Sequence, residues 1–249
     1  MYPRDWIVPQ WPAPAAVHSL ITTRAGGVSS GPFTSFNLGE HVGDDPDAIA
    51  ENRRRLRALL PAEPIWLRQV HGAQVVNAAQ IEGIVEADAS VAHVAGCVCA
   101  IKIADCMPVL LCDRGGTRIG IAHAGWRGLH AGVIEHTIAM LQCPPGQVLA
   151  YLGPAIGPQA FEVGDEVRAA FTAHDPAAAQ AFKRHGPGKW LADLYLLARQ
   201  RCAYAGVHNV FGGGYCTMND PRFFSYRRDR VTGRMAALIW LEGGRATDE

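Results

Sequence analysis

Three residues far apart in the chain, His71 in "LRQVHG", Cys106 in "IKIADC" and His123 in "IAHAGWRG", each stand where an apolar segment ends. Two imidazoles and a thiolate are donor types that zinc accepts tetrahedrally, and a catalytic zinc keeps its fourth position open for water or substrate. If the three segments are neighbouring strands, the donors meet at one rim of a sheet. Gly72 and Gly125, which follow the histidines, leave room for close turns there. The same residues offer a second chemistry, a Cys106 nucleophile with His123 as its base, which needs a thiolate beside an imidazole and an oxyanion hole. Spacing alone does not choose between them. There is no CxxC pair and no HExxH, and Cys97-Val98-Cys99 lies in an apolar run that reads as core.

For the donors to converge, strands must deliver them. Apolar runs predict strands at 64–70, 97–103, 108–113 and 117–123, with Cys106 in the tight joint between the second and third. Further strands are expected at 17–23, 148–153, 208–214 and 234–240. Helical patterns fall at 45–60, with Ile49, Leu56 and Leu59 on one face and Asp45 or Asp47 as cap, and at 128–142, 163–174 and 191–206. Several strands lie too close together for crossover helices. The expected fold is therefore α/β (α+β), a single domain over 1–249 with mixed β-sheets and flanking helices. The stretch from Arg24 to Pro46 is rich in Gly, Ser, Asn and Asp without a period, and so long an irregular loop in a compact domain is usually either disordered or functional.

Composition narrows the ligand class. Lys+Arg and Asp+Glu both total 23, so no global field exists to hold nucleic acid or an anionic membrane, and a charged ligand must be met locally. The basic "NRRRLR" at 52–57 reads as a solvated helix face. No secretion signal or membrane-length apolar segment is visible, which predicts a cytoplasmic protein. Seven cysteines, an odd number scattered over the chain, fit reduced thiols better than a disulfide framework. The Gly-rich "FGGGY" lacks the context of a nucleotide loop.

The wording of several segments adds to this. "RQVHGAQVV", "ADASVA", "IADCMPVLLCD", "IAHAGWRG", "YLGPAIGPQAFEVGDEV" and "GGGYCTMNDPRFFSYRRDRVTGRMAALIW" resemble, in this order, the multicopper polyphenol oxidase or laccase-domain family, better viewed as purine nucleoside phosphorylases. The resemblance runs from "SLITTRAGGVSS" onward and implies a cytotoxic-necrotizing-factor-like fold. It also implies a zinc held by His71, Cys106 and His123, the triplet already singled out, with copper a weaker candidate. Implied activities are phosphorolysis of adenosine, inosine, guanosine and methylthioadenosine, with inorganic phosphate as co-substrate, and adenosine deamination. Alternatives attached to the family are an editing hydrolase acting on cell-wall (peptidoglycan) precursors and a copper-dependent polyphenol oxidase. A multicopper site needs more histidines than this triplet supplies. Two positions depart from the family's frequent residues, Arg68 before the Gln and Ile103 before Ala-Asp-Cys, and neither is an expected ligand.

Two neutral imidazoles and a thiolate would leave zinc at a net charge of about +1, enough to acidify water, which suits deamination. That reaction also needs a carboxylate to shuttle protons. Asp105, Asp88 and Glu162 are candidates, although alternation in an extended segment would turn Asp105 away from Cys106. Phosphorolysis needs cations for phosphate, for which Arg127 and Arg227 are the expected pair. Asn37, Arg24 and His41 of the long loop are candidate substrate contacts. Tyr226 is expected to line the base pocket and Trp126 to stack or pack, while Cys216 reads as packing. The expected partners are small purine nucleosides and phosphate, not nucleic acid or membrane.

Overall fold

The computed structural model describes residues 2–243. The first third holds β1 (Val17–Ile21), helix α1 (Pro46–Arg57), and the short strands β2 (Pro64–Ile65), β3 (Val75–Asn77) and β4 (Ala89–Ala92). Three long buried strands follow, β5 (Val98–Ile103), β6 (Met107–Asp113) and β7 (Ile119–Ala124), and then helices α2 (Trp126–His130) and α3 (Val133–Met140). The last part comprises β8 (Val148–Leu152), β9 (Glu162–Gly164), α4 (Asp165–His174), β10 (Phe182–Gly186), β11 (Lys189–Ala192) and α5 (Leu194–Tyr204). β12 (Asn209–Gly212), the one-turn α6 (Tyr226–Asp229) and β13 (Met235–Leu241) complete it.

Two mixed sheets face each other. One has the order β1-β13-β5-β2 and the other β12-β8-β6-β7-β4-β3, while β10-β11-β9 form a small third sheet. Alternation along the strands sorts side chains between layers. Ile101 and Ile103 of β5 meet Leu110 and Cys112 of β6 and Ile121 of β7 between the sheets. The opposite residues of β6 and β7, such as Val109, Leu111 and Ala122, pack against Val133 and Ile138 of α3 and Leu197 of α5. On the outer face of the first sheet, Val98 and Ala100 of β5 lie with Ala236 and Leu238 of β13 under Phe36 and Leu56. A mixed α/β fold was the expectation, and the chain has it.

Several local expectations are corrected. The strand expected over 64–70 ends at Ile65, and His71 lies in a loop at φ 61°, not at a strand end. The cause is Gln69, whose side-chain amide donates to the Lys102 carbonyl at 2.8 Å and accepts from the Lys102 N–H at 2.7 Å. That amide takes the place of a backbone partner for β5. The helix expected over 128–142 breaks at Gly132, which adopts φ 89° and separates α2 from α3. The helices expected to begin at 163 and 191 start later, because residues 162–164 and 189–192 pair as strands. Asp193 then caps α5, accepting from the Leu196 N–H at 2.9 Å.

Candidate metal centre and its cavity

The donors come from three different local structures. β7 places His123 next to β6, in register with Pro108, so its ring reaches the start of β6 where Cys106 stands. The β5–β6 joint turns tightly through Asp105 at φ 83°, which joins strands belonging to two different sheets. His71 arrives from its loop. The donor atoms of His71, Cys106 and His123 all lie within 4.8 Å of one another, and the two imidazole rings meet edge to face with centroids 4.9 Å apart. The convergence is thus at a junction between sheets and not along one rim, because β5 and β6 part company at the ligand.

Asp88, fully buried just before β4, organises the group. Its carboxylate accepts from His123 Nδ1 at 2.8 Å and from the backbone N–H groups of Val70 (3.1 Å), His71 (3.0 Å) and Gly72 (2.6 Å). Burial alone would raise its pKa, but the His123 bond and these amides hold it below the usual carboxylate range. With Nδ1 engaged, His123 presents Nε2 towards Cys106 and His71, the arrangement common for metal-ligating histidines. Burial would push the Cys106 thiol up, yet His123 and His71 bring it down to about 6. His123 is raised to about 9, since Cys106 and Asp88 outweigh the burial of its ring.

Two imidazoles on one sulfur, one of them oriented by a carboxylate, fit zinc in donor type and number. A cysteine nucleophile would need only one of the imidazoles. Among the described residues this is the one cluster of His, Cys, Asp and Glu donors close enough to hold an ion.

The donors open onto a cavity of about 550 Å³. His41, Tyr226 and Arg227 line it together with the triplet, as does Asp105. Asp105 does not turn away: the left-handed turn overrides alternation, and its carboxylate accepts from Thr217 Oγ1 at 2.5 Å and from the Arg227 N–H at 2.6 Å. Arg227 donates from Nη1 to the Glu162 carbonyl at 2.9 Å and stacks over Phe161. The Glu162 side chain points elsewhere, towards His185 and Lys189.

Other candidates lie off the cavity wall. Arg127 is exposed and covers Trp126, 4.5 Å from its ring centroid. Arg24 donates from Nε to the Thr34 carbonyl at 2.8 Å and covers Phe224. Asn37 is fully buried and spent on the fold. It accepts from the N–H groups of Gly39 and Arg234 and donates to Asp44 and the Gly39 carbonyl. Cys216 lies outside this cavity and accepts from the Gly157 N–H at 3.3 Å. Gln69, Lys102, Ile156, Phe161 and Arg234 line the cavity and were not singled out in the sequence. The signal for Lys102 was present, a lysine inside the apolar run "CVCAIKI".

No helix among the described residues is long and apolar enough to cross a membrane. A purine nucleoside phosphorylase of Pseudomonas aeruginosa is 54% identical over 239 residues, spanning 95% of this chain and 98% of that protein. Purine nucleoside phosphorylase YfiH of Escherichia coli K12 is 55% identical over 239 residues, 94% of this chain and 98% of its own length. A crystal structure of a Neisseria meningitidis protein superposes with a TM-score of 0.95 at 52% identity, covering 96% of this chain and all of that one. Residues 18–242 match the family described as multi-copper polyphenol oxidoreductase laccase, and the chain belongs to that family.

Proposed function

We propose that the protein is a metal-dependent purine nucleoside phosphorylase that also deaminates adenosine, with His71, Cys106 and His123 as the zinc ligands. The observation that carries the reading is a cavity that joins the three donors to an aromatic and a cationic wall. The names of the relatives from Pseudomonas and Escherichia support the reaction class. The three donors of the triplet are too few for a multicopper oxidase, which needs additional copper ligands.

In phosphorolysis an oxygen of phosphate bonds to the anomeric carbon of the ribose while the glycosidic C–N bond breaks. The bonding electrons leave with the purine, which takes up a proton. Ile156, Phe161 and Tyr226 give the cavity a flat apolar and aromatic lining suited to a purine. Lys102, Arg227 and Arg234 supply the positive charge that a phosphate requires. Zinc bound at the triplet would supply a Lewis acid at that corner. Asp105 fixes the turn of Arg227 through its backbone N–H and so places that side chain against Phe161. Adenosine, inosine, guanosine and methylthioadenosine are the proposed substrates.

The test is product analysis of metal-quantified protein with adenosine, with and without phosphate, beside Cys106→Ala. Adenine and ribose 1-phosphate formed only with phosphate, together with phosphate-independent inosine, both lost in the variant, are expected. Full turnover by metal-free protein would overturn the reading, as would absence of both products from protein carrying one zinc.

A further inference from the structure

One end of the cavity carries two cations that form no ion pair with an acid among the described residues. β5 and β13 are antiparallel, with Lys102 opposite Ala236 and Ile103 opposite Met235. Continued by one residue, that register sets Arg234 opposite Ala104, so Lys102 and Arg234 are diagonal neighbours on one face of the sheet. It is the face on which Val98, Ala100, Ala236 and Leu238 are core. The apolar stripe therefore ends in two cations as it reaches the cavity, and His41 lines the same space.

Both cations are largely withdrawn from water, and both have donors to spare. The only side-chain hydrogen bond of Lys102 among the described residues runs from Nζ to the Leu67 carbonyl, a long one at 3.3 Å. Arg234 uses Nη1 on the carbonyls of Thr232 and Gly233, while no partner among the described residues engages its Nε or Nη2. Burial, and the positive charges of Arg53 and Arg234, lower the Lys102 pKa. Glu40, whose charge acts on Lys102 and His41, is paired with Arg53. Arg234 feels Cys106 and Asp105 without forming an ion pair with Asp105. A buried cation left unpaired is costly, and two side by side need an anion to complete them.

We infer that the Lys102, Arg234 and His41 end of the cavity is a subsite for a phosphate dianion, occupied by the inorganic phosphate that attacks the nucleoside. This rests on the phosphorolytic reading above. Arg227 is the weaker candidate for the same task, because its guanidinium is committed to the Glu162 carbonyl and to Phe161, and Asp105 lies against its backbone. The three donor groups of the subsite come from β5, from the residue before β13 and from the long loop after β1. Gln69, bonded to the Lys102 backbone on both sides, fixes where the lysine leaves its strand.

The test is calorimetric titration of zinc-loaded protein with inorganic phosphate, without nucleoside, beside phosphate KM in the cleavage assay. Wild type is expected to bind phosphate in competition with sulfate. Lys102→Met and Arg234→Gln should each weaken it by about ten- to a hundredfold, the scale of one lost charge-assisted hydrogen bond, and Arg227→Met by less. Wild-type protein that binds no phosphate overturns the inference whether or not the variants fold. So does an affinity that falls with Arg227→Met and not with the other two. Binding of adenosine 5′-monophosphate through Lys102 and Arg234, with none of the free ion, overturns the assignment to the co-substrate. Phosphate bound through Lys102 and Arg234 without phosphate-dependent cleavage keeps the subsite and defeats phosphorolysis. Cleavage whose phosphate KM is unmoved in both variants does the reverse.

Discussion

Asp88 accepts from His123 Nδ1 at 2.8 Å with the same carboxylate that gathers the backbone N–H of His71 at 3.0 Å. One buried acid therefore sets the ring of one proposed ligand and the backbone of another. Its replacement acts on the proposed metal site without touching a donor atom. Asp88→Asn offers a single acceptor oxygen to these donors and turns an amide N–H towards one of them. Zinc affinity, read by competition with a chelator, should fall about ten- to a hundredfold. An unchanged affinity would mean that packing alone orients His123.

Gly125 is a second position that controls the site by shape. A Cβ there would lie 2.7 Å from Cys106 Sγ and 3.4 Å from His71 Cδ2. Gly125→Ala must displace the sulfur, because the backbone at this point leads directly into α2. The variant is expected to fold, by far-UV circular dichroism, and to bind less than one tenth of the wild-type zinc under limiting metal. Full stoichiometry would show that the sulfur has room to move.

The β6–β7 hairpin carries an acid-sensitive contact away from the site. Asp113 accepts from the Thr117 and Arg118 N–H groups and from Thr117 Oγ1, each at 2.8 Å. Burial opposes its ionisation, but these bonds prevail and lower its pKa. A lowered carboxylate pKa stabilises the fold above the unfolded value of about 3.9 and loses that contribution as pH falls through the folded value. Asp113→Asn should therefore melt below wild type at pH 7, and the gap should close as the pH drops below about 4. A gap independent of pH would count against the charge as its origin.

Leu110 is fully buried between the two large sheets, whereas Val231 is 57% exposed. Leu110→Ala should cost about 2–5 kcal/mol in urea denaturation, and Val231→Ala no more than about 0.5 kcal/mol. A cost for Leu110→Ala near that of the surface variant would mean that the sheets can close over the space.

The parts of the fold that were legible are those where burial imposes a pattern. β5, β6, β7, β8 and β13 are buried along their whole length, and their apolar runs announced them. β10 was missed because Lys183, Arg184 and His185 are exposed on a small sheet that no apolar alternation marks. β3 and β4 are too short to show a period. The triplet was readable because His and Cys at the ends of apolar runs are chemically conspicuous. Lys102 is conspicuous as a lysine inside an apolar run, but its pairing with Arg234 was not legible, since what makes them neighbours is the pairing of β5 with β13 across more than half the chain. Asp88 was named as a possible proton shuttle, and its geometry is that of a scaffold.

His71 stands at φ 61°, outside any strand, in a loop tied to Asp88 by three consecutive amides. The tether is made of protein atoms alone, a carboxylate fully buried beside the loop. A zinc finger is stitched together by its metal and comes apart without it. Here a buried carboxylate does the stitching for the His71 loop, and one side chain holds three successive backbone N–H groups in place.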